Sequence, residues 1–213
     1  MMIEFTKFPK IPRLNRDMII TEKLDGTNAQ IYVAEKSIID CWVNGPEVAD
    51  WVYEFGNRVT VEHELDYDQD LILFAGSRNR WISRADDNYG FAKWVAENKQ
   101  DLARLGVGLH YGEYWGQGIQ RNYGLKEKRF SLFNVTRWEE NAPLCCDVVP
   151  VLYEGPFETY VIEQLVDNLW EYGSKAAPGF MDPEGVVVFH KAANRMFKVT
   201  CKNDEMPKGQ MTG

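Results

Sequence analysis

No apolar run in this sequence approaches the ~20 residues that a membrane-crossing helix needs. The first twenty residues, MMIEFTKFPKIPRLNRDMII, also lack the apolar core of a secretory leader. Cysteine is sparse: Cys41, Cys145, Cys146 and Cys201 show no C-x-x-C spacing. A zinc ribbon or a disulfide scaffold is thereby excluded, and free thiols in a reducing cytoplasm are expected. The three histidines, His63, His110 and His190, have no partner at metal-ligand spacing. Positive charge is in deficit, with 24 Lys and Arg against 32 Asp and Glu, for a net charge of -8. That balance argues against a protein that coats nucleic acid by bulk electrostatics, so any such contact must be local. The local cationic groups are Arg78, Arg80 and Arg84; Arg121 with Lys126, Lys128 and Arg129; and Lys191, Arg195, Lys198 and Lys202. The acidic stretch Glu62 to Asp70 lacks the glycine-bearing loop of a calcium site and reads as a solvated connection.

What is present is the material of a globular core: 213 residues, 45% hydrophobic and 13% aromatic, with seven tryptophans. The length fits one domain, taken as 1–213. Short β-rich runs bounded by turn residues predict strands at Ala29 to Val33, Leu71 to Ala75, Gly108 to Tyr114, Phe130 to Val135, Val148 to Leu152, Gly185 to His190 and Met196 to Val199. Apolar stripes predict helices at Phe91 to Leu105 and Phe157 to Tyr172, the second with Tyr160, Val161, Leu165 and Leu169 on its buried face and Gly155-Pro156 and Gly173 as its frame. Strands that follow one another predict an α+β fold of antiparallel sheets flanked by helices. No internal repeat or low-complexity tract is expected.

Five segments carry candidate chemistry. In TEKLDGTNAQIYV, Lys23 lies in a polar turn between two apolar stretches; Asp25 follows, and Gly26 lets the backbone approach a ligand. In FAGSRNRW a strand runs into a loop bearing Arg78, whose rigid fork suits a sugar hydroxyl or phosphate as well as it suits a charged surface turn. In HYGEYWGQGIQ, Glu113 sits among aromatics and needs a partner, which a ribose hydroxyl or a structural arginine would supply equally. In RFSLFNVTRW, Ser131, Phe133 and Val135 share one predicted strand face, and a phenylalanine there either stacks on a base or packs in the core. In PEGVVVFHKAANRMFKVT, Glu184 precedes one strand and Lys198 ends the next, a placement that suits a metal and a phosphate respectively.

In their order these segments resemble the covalent nucleotidyltransferase superfamily of ATP-dependent ligases and capping enzymes, and most closely its RNA ligase branch. Lys23-Leu24-Asp25-Gly26 is similar to the nucleophile motif, Ser77-Arg78 to the ribose-contacting motif, Gly112-Glu113 to the next nucleotide-binding motif, and Phe130 to Val135 to the segment with a base-stacking aromatic, placed at Phe133. Pro183-Glu184-Gly185-Val186 is similar to the motif with a metal-linked glutamate, and Phe197-Lys198 to the start of the motif with phosphate-binding lysines.

The resemblance implies a nucleotidyltransferase (ATP-grasp-like) adenylation domain. It also implies ATP and Mg2+ (or Mn2+) as cofactors, Lys23 as the nucleophile that takes AMP, and Glu184 as the metal residue. Nucleotide contacts would come from Glu22, Asp25, Gly26, Arg78, Glu113, Phe133, Lys198 and Lys202, with Arg78 and Glu113 on the ribose and Glu22 near the base edge. The implied substrates are RNA ends, nicked or single-stranded. DNA ends, guanylyl transfer and a noncatalytic end-binding module are the competing readings. Two departures stand out. The last motif shows Thr200 where a second lysine is usual, with Lys202 two residues beyond. The sequence also stops eleven residues after Lys202, so no OB-fold or helical accessory domain is expected, and an accessory protein would supply the missing part.

Overall fold

The computed structural model describes residues 4–42, 46–62 and 68–202; His63 and most of the acidic stretch lie outside the described residues. The fold is α+β and rests on two sheets. A four-stranded sheet has the order β11-β10-β1-β9, formed by β11 (Arg195–Thr200), β10 (Gly185–His190), β1 (Asp17–Lys23) and β9 (Val151–Pro156). A seven-stranded sheet has the order β3-β4-β2-β6-β7-β8, with β5 paired to β4. Its strands are β2 (Thr27–Glu35), β3 (Gly56–Glu62), β4 (Asp68–Ser77), β5 (Trp81–Ile82), β6 (Gly108–Gly116), β7 (Lys128–Leu132) and β8 (Asp147–Val148). Every pairing is antiparallel except β7 with β8.

β1 is the central strand that positions the site. Its β-branched Ile19, Ile20 and Thr21 suit an extended backbone, and it is covered on both faces. Met18 and Ile20 pack with Val186, Val188, Val161 and Leu169 beneath α6 (Thr159–Tyr172). Ile19 packs the other way, with Leu24, Trp115 and Tyr123, joining the two sheets. The larger sheet places Ile31, Leu73, Tyr114 and Phe130 against Phe91 and Val95 of α3 (Phe91–Glu97). Its other face is covered at one end by α1 (Lys36–Trp42) and α2 (Pro46–Phe55), through Ile39 and Val52 on Ile72 and Phe74.

Several local expectations are corrected. The predicted strand Phe130 to Val135 stops at Leu132, because Asn134 caps the short helix α5 (Val135–Trp138), its side chain accepting from the Arg137 amide at 3.3 Å. Phe133 and Val135 therefore do not continue a strand face. The predicted helix Phe91 to Leu105 is α3, then α4 (Lys99–Leu102), then a 3-10 turn over Ala103–Leu105. The break falls at Asn98, whose backbone and side-chain amides both donate to the Trp94 carbonyl. The run Val148 to Leu152 is split between β8 and β9, with Pro150, which has no N–H for a ladder, in the gap. Tyr160 is 60% exposed and leaves the buried stripe of α6. Gly173, at φ 83, closes that helix by donating to Leu169, in agreement with the frame read from the sequence.

Candidate active site

Lys23 is the last residue of β1 rather than part of a turn, and stands opposite Gly185 on β10. This register brings Glu184, the residue before β10, onto it: Lys23 Nζ lies 2.5 Å from Glu184 Oε2. Glu184 is buried and Lys23 half-buried. The close approach depends on Gly185, which has φ 147 and whose Cβ, if present, would lie 2.1 Å from the Val199 carbonyl oxygen. Lys198 sits opposite Val187, which itself sits opposite Thr21. Since side chains alternate along a strand, Lys198 shares the face of Thr21 and Lys23.

The same alternation sends Glu22 to the other face, toward the α6 layer. Its carboxylate, 1% exposed, accepts from Ser174 Oγ at 2.6 Å and from the amides of Lys175 and Ala176, both at 2.8 Å. Burial pushes its pKa up, against the pull of these three donors.

Across the seam, the larger sheet contributes Glu113 from β6. Its Oε1 accepts from the Gly26 amide at 3.0 Å and its Oε2 from Asn28 Nδ2 at 2.8 Å. Glu113 and Asn28 are cross-strand partners in β6 and β2. With 6% of its surface exposed, Glu113 has its pKa pushed up to about 7 by burial; the Lys23 cation and the two donors draw it down, and Glu184 pushes it up. Lys23, Glu184 and Glu113 thus form one electrostatic unit. Gly26 is required here, since a Cβ would lie 2.4 Å from the Tyr114 carbonyl oxygen.

Asp25 turns outward into a second network. Arg121 Nε donates to Asp25 Oδ2 at 2.8 Å, and Arg121 Nη1 to Asp182 Oδ2 at 2.8 Å and to the Asp182 carbonyl at 3.0 Å. Burial disfavours the Arg121 cation, yet Asp182 and Asp25 outweigh it and raise its pKa. Lys202 closes the chain, 2.7 Å from Asp182 Oδ1, with its ammonium 5.1 Å from the centre of the Trp170 ring. The hydrogen bond from Lys202 holds the Asp182 pKa low, and Arg121 adds to it. Tyr123 OH accepts from the Asp25 amide at 2.8 Å. Arg121, Tyr123, Asp182, Asn28 and Ser174 were not identified as site residues from sequence. Asn28 had a signal, standing two residues after Gly26 in the same polar segment; the others are joined across gaps of 61 to 152 residues.

Arg78 is exposed, one residue beyond β4. In the same loop Arg80 is held by both carboxylate oxygens of Asp86, at 2.5 and 3.0 Å, and Ser77 is tied to the Arg80 carbonyl and to Gln30 Nε2. This leaves Arg78 as the loop guanidinium with no ion pair among the described residues. Phe133, 38% exposed, follows β7 directly, its amide donating to the Tyr111 carbonyl at 3.0 Å.

Among the described residues no group of three or more His, Cys, Asp or Glu is arranged to hold a metal ion. The donor set at Lys23 offers two buried carboxylates, Glu184 and Glu113, and both oxygens of Glu113 already accept hydrogen bonds, from Gly26 and Asn28. That fits a magnesium ion, which keeps most of its waters and is usually shared between one or two carboxylates and substrate phosphates, and does not fit an all-protein cage.

The site is thus a lysine at the junction of the two sheets, ion-paired to Glu184 and within the field of Glu113. The RNA ligase family profile matches residues 16–200, and the chain belongs to that family. No curated protein matches. Among solved structures it is similar to a variant of Naegleria gruberi RNA ligase with ATP and Mn, at a TM-score of 0.52 and 17% identity, covering 87% of this chain and 49% of that one. It is similar to a second variant of the same ligase, also with ATP and Mn, at a TM-score of 0.52 and 18% identity, covering 89% and 51%. The likeness at this identity is one of fold, and the chain spans about half the length of the proteins it matches. No helix among the described residues is long and apolar enough to cross a membrane.

Proposed function

We propose that this chain is an ATP-dependent RNA ligase domain of the nucleotidyltransferase type, working through a lysyl-AMP intermediate. The observation that carries the reading is Lys23 Nζ at 2.5 Å from buried Glu184, with Glu113 fixing the backbone of the Lys23-Leu24-Asp25-Gly26 motif from the other sheet.

In the first step the Lys23 amine attacks the α-phosphorus of ATP. The N–P bond forms, the bond to the bridging oxygen breaks, and pyrophosphate leaves. The Lys23 proton faces the Glu184 carboxylate, the base within reach. Lys198, exposed on the same sheet face, is assigned to the triphosphate. A magnesium ion held through Glu184 and the nucleotide would neutralise charge on the phosphates. Arg78 and the second lone pairs of Glu113 are assigned to the ribose, and the open ring of Phe133 to the adenine. The backbone around Glu22 borders the base, while its carboxylate holds the loop at Ser174. Asp25 and Lys202 act through Arg121 and Asp182, tying the nucleophile loop to the segment that leads into Glu184.

AMP then passes to an RNA 5′-phosphate, regenerating the amine. A 3′-hydroxyl attacks that phosphate, forms the phosphodiester and expels AMP. Incubation with ATP and magnesium followed by mass spectrometry is expected to add one AMP that maps to Lys23 and is absent from Lys23→Ala. A folded protein cleared of bound nucleotide that takes no AMP refutes the proposal. Nicked and single-stranded RNA, with DNA as the comparison, then identify the acceptor.

A further inference from the structure

Residues 5–16 read Phe-Thr-Lys, Phe-Pro-Lys, Ile-Pro-Arg, Leu-Asn-Arg. An apolar residue falls at every third position (Phe5, Phe8, Ile11, Leu14), and so does a cation (Lys7, Lys10, Arg13, Arg16). The pattern is thus a fourfold tripeptide of residue classes. Its period of three matches neither a helix at 3.6 nor a strand at 2; it is the repeat of polyproline II. Pro9 and Pro12 fix their own φ in that conformation and push Phe8 and Ile11 toward it. Residues 4–13 accordingly carry neither helix nor strand. On a three-residue turn this pattern would align the apolar residues along one ridge and the cations along another.

Both sets are open. Phe5, Phe8, Ile11 and Leu14 are 89%, 81%, 85% and 65% exposed. The side chains of Lys7, Lys10, Arg13 and Arg16 make no ion pair among the described residues, whereas Lys23, Arg80, Arg121 and Lys202 all do. The root is fixed: His190 Nε2 donates to the Leu14 carbonyl at 2.7 Å, and the Phe157 amide to the Arg16 carbonyl at 2.9 Å. Four uncompensated cations in a chain of net charge -8 make a local attractor for a polyanion. Apolar and aromatic groups interleaved with them are what single-stranded nucleic acid uses for base contacts.

We propose that residues 5–16 form an arm that grips the RNA strand being joined. The inference rests on the reading of the site as an RNA ligase and adds to it where the strand outside the cleft is held. The arm roots at the end of β1 remote from Lys23, about 20 Å away at ~3.3 Å per residue. A stacked strand advances ~3.4 Å per nucleotide, so the arm engages strands longer than about six nucleotides.

The test compares wild type with the K7A/K10A/R13A variant for binding a 5′-phosphorylated 20-nucleotide single-stranded RNA and a 4-nucleotide control across a salt series, with lysyl-AMP formation measured separately. Single-strand binding loses about 0.7 in its log–log salt slope per phosphate contact. The variant is expected to show a slope shallower by about 2, an affinity for the long RNA at least tenfold weaker at 0.1 M salt, unchanged binding of the short RNA and unchanged AMP uptake. A Phe5→Ala, Phe8→Ala variant is expected to weaken long-RNA binding with the slope preserved. Unchanged affinity and slope in the charge variant, with AMP uptake intact, overturn the arm. Absence of AMP uptake in wild type overturns the ligase reading, while the salt slope still judges the arm.

Discussion

Replacing Glu113 by glutamine isolates one buried charge. The Glu113 carboxyl, 6% exposed, has its pKa raised to about 7 from an ordinary 4.5. Between those values the folded protein holds a proton that the unfolded chain has released, so stability falls as pH rises. The stabilisation is fully present below about pH 4.5 and is gone once the pH has passed through about 7. At 1.36 kcal/mol per pKa unit the full range amounts to about 3 kcal/mol, of which about 2 to 3 kcal/mol is lost between pH 5 and pH 8. For a chain of this size that corresponds to a fall in Tm of about 5–10 °C. Glutamine stays neutral, so Glu113→Gln should lack this component and no other. Thermal unfolding followed by circular dichroism from pH 5 to pH 8 reads the difference directly. Parallel pH profiles for the two proteins would refute the assignment of a protonated, desolvated Glu113.

Gly26→Ala should leave no adenylation above background, since its new Cβ meets the Tyr114 carbonyl and must push the nucleophile motif off Glu113; AMP uptake is the measurement, with near-native secondary structure as control. Ser174→Ala removes a donor from the almost fully buried Glu22 carboxylate and is expected to cost about 1–3 kcal/mol by urea unfolding. A neutral result there would mean that the remaining amide donors suffice.

The strand pattern was legible where side chains alternate against a core. Gly185 to His190 is reproduced residue for residue, and Ala29 to Val33 and Gly108 to Tyr114 lie within β2 and β6. It failed where one polar side chain redirects the backbone, as at Asn134 and Asn98; Asn134, three residues ahead of Arg137, was a readable cap. The helices α1 and α2 were missed altogether. Lys23, Glu184 and Glu113 were each visible as residues, but their union was not: it depends on the β1–β10 register and on β6 lying beside β2. The Arg121 bridge left no local trace, because its partners are 96 and 61 residues away.

Between Lys23 and Thr27 the chain leaves one sheet and enters the other with only Leu24, Asp25 and Gly26 as the link. The return crossing is as short, from β8 to β9 through Val149 and Pro150. The two sheets are therefore stitched together twice, and Lys23 stands at the first stitch, where any shift of one sheet against the other is felt at its backbone.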